Sequence, residues 1–169
     1  DILQVPGKGF RFDGGSVMVW AGGLHQEMER TAGGEVTSVG FNLGAKVSAG
    51  GLSLVGSWFD GEAIGTIRTL DSFSGNAFTC SGANCTEADN DGYYIQAMYN
   101  MNGKTNIGLS YGESSQDADA AGNTADSNEL TTMGVYHDVN SWLKLVAEYN
   151  MQSGAQENDH LSLGGFIFW

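Results

Sequence analysis

The 169 residues predict an all-β chain that crosses a bilayer as an antiparallel transmembrane β-barrel. Three observations point there. Apolar and polar residues alternate with a period of two over segments of roughly ten residues, the pattern of a strand with one oily and one polar face. Glycine supplies 26 residues and proline only one, as expected of many extended segments joined by turns. Tight connections alternate with long polar ones, as they do at the two ends of a membrane barrel.

Taken in chain order, a short FRF piece at 10–12 precedes the first full strand. SVMVWAGGLHQEM (16–28) has apolar residues in both phases, so it predicts a strand with no assigned face. TSVGFNLGAKV follows with Val39, Phe41, Leu43, Ala45 and Val47 on one side and Ser38, Gly40, Asn42, Gly44 and Lys46 on the other. GLSLVGSWF shows the same alternation. GYYIQAMYNM sets Ile95, Ala97, Tyr99 and Met101 against Tyr94, Gln96, Met98 and Asn100, and KTNIGLSYG sets Ile107, Leu109 and Tyr111 against Asn106, Gly108 and Ser110. ELTTMGVYHDV is again apolar in both phases. SWLKLVAEYNM is the clearest, with Leu143, Leu145, Ala147, Tyr149 and Met151 opposed to Lys144, Val146, Glu148 and Asn150. HLSLGGFIFW closes the chain with Leu161, Leu163, Gly165, Ile167 and Trp169 in one phase.

Tight turns are expected at 48–50, 102–103 and 140–141, and long acidic loops near 61–91 and 114–128. Counting back from Trp169, every tight turn falls at one end of the strands. Sixteen of the twenty acidic residues lie in 27–35, 60–91, 113–129 and 157–159, all at the other end. No apolar run approaches the ~18 residues of a membrane helix, so strands are the only route across a bilayer.

A formal charge of −13 argues against a nucleic-acid partner, because binding to phosphates relies on Lys and Arg. Cys80 and Cys85 stand in a polar stretch without the second ligand pair of a zinc site, which favours a small loop disulfide and an oxidising compartment. Glu87, Asp89, Asp91 and Gly92 imitate the start of a calcium loop, yet the twelfth position is Met98 and the segment runs into a strand. His25, His137 and His160 have no ligand spacing, so no metal and no cofactor are expected. Asp138 beside His137 and Asp159 beside His160 are the adjacent acid–histidine pairs, and neighbours in a strand point to opposite faces, which leaves no catalytic assignment. Trp20, Trp58, Trp142, Tyr93, Tyr111 and Tyr149 read as interfacial girdle residues in preference to a sugar platform. Asp1 opens the chain without Met or an apolar leader, which fits either a processed secretory chain or a piece of a longer one.

With its strand lengths, dyad pattern, flanking aromatics and terminal aromatic, the chain resembles the C-terminal half of a Gram-negative general diffusion porin. LKLVAEYNM and HLSLGGFIFW carry most of the resemblance, which covers roughly residues 9 to 169. It implies a bacterial outer-membrane location, a water-filled channel for passive diffusion of small hydrophilic solutes and ions, and a homotrimer among lipid and lipopolysaccharide. It also implies that Trp169 is the signal read by the barrel-assembly machinery, and that no enzymatic activity is present. Porin barrels have sixteen or eighteen strands, whereas about eight full strands and the FRF remnant are legible over 1–169, so the chain reads as part of a sixteen-stranded barrel.

An eight-stranded barrel closed by 16–169, with a structural or adhesive role, is the competing architecture; a soluble acidic β-sandwich is another. Small polar residues in the lumen phase favour the wide pore, because they would fill a narrow barrel poorly. By phase, Arg11, Asn42, Lys46, Gln96, Asn106, Lys144 and Glu148 are the pore-lining candidates. The acidity of the loops is expected to favour cations at the mouth.

Overall fold

In a strand pair, residues opposite each other share a face, so the alternation becomes a wall only if the hairpin turns hold the register. A computed structural model describes residues 2–29, 31, 33–64, 78–117, 126–154 and 157–169, and in it they do. Gly50 and Gly51 have φ of 56° and 86°, the mirror-image turn that matches strand twist and that two L side chains would resist. In the two four-residue turns, asparagine side chains replace missing backbone partners. Asn102 Oδ1 accepts from the amides of Lys104 and Thr105 at 3.0 and 2.8 Å, and Asn140 Oδ1 accepts from those of Trp142 and Leu143 at 3.0 and 2.9 Å.

The strands are β1 (Ile2–Phe12), β2 (Gly15–Glu29), β3 (Glu35–Ala49), β4 (Leu52–Glu62), β5 (Phe78–Ser81), β6 (Asn84–Glu87), β7 (Asp89–Asn100), β8 (Thr105–Gln116), β9 (Asp126–Asp138), β10 (Leu143–Gly154) and β11 (Asn158–Ile167). All but β5 and β6 form one nine-stranded sheet in the order β1-β2-β3-β4-β7-β8-β9-β10-β11, every pair antiparallel. β5 and β6 make a separate hairpin within the β4–β7 connection, bridged by the Cys80–Cys85 disulfide.

The register carries one apolar phase across the whole sheet. Val17 faces Val47, Val47 faces Leu54, Leu54 faces Ala97, Ala97 faces Leu109, Leu109 faces Met133, and Ala147 joins Val135 to Leu163. This band lies open: Leu109 is 53% and Leu163 74% exposed, and Phe41, Leu43, Ile107 and Leu145 are exposed with them. Among the described residues no second layer covers it, as a sandwich would require. From Val39 to Ala49 the band spans ten residue steps, about 25 Å of height at a tilt near 40°, the thickness of the apolar belt of a membrane barrel.

Several expectations are revised. The FRF piece is the end of the eleven-residue β1; its alternation is hidden because the register slips between Val5 and Lys8, around Pro6. β1 occupies the edge of β2 that a closed eight-stranded barrel would give to β11, so β1 and β11 are the two sheet edges and that closure is not formed. Strand β7 begins at Asp89 and β9 at Asp126, so the long connections are shorter than 61–91 and 114–128. Sorting by loop length also has an exception, since the β10–β11 connection at the acidic end is only residues 155–157.

At that acidic end, the chain leaves β4 through Ala63, which adopts a positive φ of 50°, and turns onto the polar face of the sheet. Ser38 Oγ donates to the Ala63 carbonyl at 2.8 Å, and the Ala63 amide donates to the Ala88 carbonyl at 3.0 Å. Val36, Ala63 and Ala88 are buried there, the small core found among the described residues.

Candidate functional site

Among the described residues, the polar face of the main sheet gathers hydrogen-bonding side chains over the same height as the apolar band. The register places Arg11, Asn42, Lys46, Gln96, Asn106, Lys144 and Glu148 together on it. They arrive from five strands, each through the odd or even phase that its partners dictate. Side-chain contacts agree with the assignment. Asn100 Nδ2 donates to Asn106 Oδ1 at 2.9 Å, Thr132 Oγ1 to Asn150 Oδ1 at 2.7 Å, and the Tyr136 hydroxyl to Glu148 Oε1 at 2.6 Å. Lys144 Nζ lies 3.3 Å from Asp138 Oδ1.

Amides dominate this surface. Across the described strands β2 to β11 of the main sheet, asparagine and glutamine lie on the polar face alone; Gln26, Asn90, Gln116, Asn128, Gln152 and Asn158 continue the set towards the acidic end. Glycines between them expose backbone, and three aromatic rings lie across such gaps. Trp20 lies over Gly44, Phe59 over Gly92, and Tyr136 against Gly134 and Gly108. Trp20 therefore departs from the girdle expected of it: it pairs with Gly44 on the polar face. Local sequence could not reveal this, because β2 has apolar residues in both phases.

Of the other residues expected in a girdle, Trp58, Tyr93, Tyr111 and Tyr149 stand on the apolar face, whereas Trp142 lies in the β9–β10 turn. Phe41 and Trp58 meet edge to face at a centroid distance of 5.1 Å, and Tyr93 and Tyr111 lie 5.8 Å apart. Immediately beyond them stands a row of carboxylates in the same phase: Asp60 two residues past Trp58, Asp91 two before Tyr93, and Glu113 two past Tyr111. Ser115 donates to Asp91, Ser153 to Glu129 at 3.3 Å, and Tyr149 to Asp159 at 3.2 Å, all between residues of the apolar phase.

His137 sits on the apolar phase against Thr105 Oγ1 at 3.0 Å, while Asp138 lies on the polar face; His160 and Asp159 are divided in the same way. The geometry does not bring either pair together. Asn90 is 2% exposed on the polar face, and its side-chain amide has no hydrogen-bond partner among the described residues. Nothing in the local sequence marks it out from the other amides.

A family model described as Gram-negative porin matches residues 7–157. No curated protein matches the chain. Among solved structures, the outer membrane channel DcaP of Acinetobacter baumannii is similar with a TM-score of 0.76 at 11% identity, over 96% of this chain and 49% of that one. A loop-L8 deletion mutant of OmpT, an outer membrane protein of Vibrio cholerae, is similar with a TM-score of 0.68 at 19% identity, over 95% of this chain and 51% of that one. The chain thus spans about half the length of these structural relatives.

Proposed function

The chain belongs to the Gram-negative porins, a family of the outer membrane, and on that premise we propose that its sheet is part of the wall of a water-filled channel for passive diffusion of small hydrophilic solutes and ions. The observation that carries the reading is the division of one continuous sheet into an exposed apolar band and an opposite face of amides, hydroxyls and a few charges. Hydrocarbon against the first face and water against the second is the arrangement that satisfies both. The free backbone groups of β1 and β11 must be met by further strands, since an open edge is not tolerated in lipid. Homotrimer formation, contact with lipopolysaccharide, recognition of Trp169 by the assembly machinery and the absence of catalysis belong to the same proposal.

Reconstitution into a planar lipid bilayer tests it. Stepwise ohmic conductance is expected. Protein that inserts and gives heat-modifiable mobility without conductance would overturn the channel reading in favour of a closed barrel.

A further inference from the structure

The chain's negative charge and its proposed channel surface are on opposite sides of the sheet. Glu27, Asp60, Asp91, Glu113, Glu129 and Asp159 all follow the apolar phase, and the partners of Asp91, Glu129 and Asp159 are residues of that phase. They form a collar outside the wall, above the girdle. By register, the strand charges on the polar phase of the main sheet are Arg11, Lys46 and Lys144 against Asp138 and Glu148, with Asp126 opposite Gln116 at the acidic end. Lys144 and Asp138 neutralise each other at 3.3 Å, and Glu148 is held by Tyr136. Across the sheet Lys46 faces Met18 and Val55, and Arg11 faces Ser16, none of them a counter-charge.

Resting on the channel reading, we infer that Lys46 and Arg11 determine the ion preference of this part of the pore and turn it toward anions, while the carboxylate collar does not contribute. The loop acidity therefore does not favour cations at the wall. Distance decides between the two sets. The collar is separated from the lumen by the thickness of the sheet and stands in salt solution, where screening acts over ~10 Å at 0.1 M. Lys46 lies on the wall itself. Reversing its charge changes the potential felt by an ion passing at ~8 Å by two unit charges, about sixfold for each ion, in opposite senses for cation and anion, before screening and about twofold for each after it, so the permeability ratio changes by at least about twofold.

The test is the reversal potential of the reconstituted protein in a potassium chloride gradient. Lys46→Glu is expected to shift the potassium-to-chloride permeability ratio toward potassium by at least about twofold, as is Arg11→Glu. The triple variant Asp60→Asn/Asp91→Asn/Glu113→Gln is expected to leave the ratio unchanged. Lys46→Gln, a change of one charge, gives the same direction if the Glu variant does not insert. A collar variant that shifts the ratio as far as Lys46→Glu, or unchanged ratios in every lysine and arginine variant, overturns the inference. Such results in a conducting wild-type protein leave the channel reading intact, whereas a wild-type protein without conductance removes that reading.

Discussion

Leu109 and Ser110 are consecutive residues on opposite faces of β8, so an arginine at each position isolates the face as the variable. Leu109 lies four residues from Thr105 at one end of the strand and four from Glu113, where the carboxylate collar begins. At ~3.3 Å per residue and a tilt near 40°, each of those polar ends is about 10 Å away, which puts Leu109 near mid-bilayer. Arginine on the lipid face at that depth costs about 2–4 kcal/mol. That corresponds to roughly 30- to 1,000-fold in the folding equilibrium. Ser110→Arg projects into water, between Gln96 and Thr132, and is expected to leave stability within about 0.5 kcal/mol. The assay is guanidinium-induced unfolding from lipid vesicles, followed by tryptophan fluorescence and heat-modifiable mobility. Equal losses at the two positions, or a larger loss at Ser110, would refute the assignment of hydrocarbon to the apolar phase.

Two further outcomes follow from local geometry. Asn140→Ala removes the acceptor of two turn amides, and a loss of about 1 kcal/mol in the same unfolding assay is expected, because those amides are exposed and water replaces the partner in part. Reducing Cys80–Cys85, or replacing both with Ser, is expected to speed amide hydrogen exchange in β5 and β6 by up to about 40-fold, the effect of releasing a six-residue closure, while the β3–β4 amides keep their rates. Faster exchange throughout β3 and β4 would show that the hairpin supports the wall.

The parts of the wall that could be read directly are those in which one phase is wholly apolar. In β3, β8 and β10 the sequence alone separates Phe41, Leu109 and Leu145 from Asn42, Ser110 and Lys144, because hydrocarbon rejects polar groups more strictly than a pore wall rejects apolar ones. In β2 and β9 that asymmetry hides the answer: Met18, Trp20, Leu130 and Tyr136 occupy the polar face, and only pairing with β3 and β10 fixes their direction. β1 was obscured by its slipped register at Pro6. The direction of the carboxylates was legible in principle, since Asp60, Asp91 and Glu113 share the parity of Trp58, Tyr93 and Tyr111. It is hidden when charge is counted by segment, because a count discards parity. The approach of Ala63 to Ser38 depends on a non-local hydrogen bond, which no window of sequence contains.

Each strand of the main sheet has its chain neighbours as its spatial neighbours, and even the β4–β7 connection returns to the adjacent place in line. A wall of this kind can be laid down like a row of bricks, every new course finding its template in the one just set. An error in one course then disturbs only the two beside it, and the connections at the acidic end are free to grow or shrink without redirecting the construction.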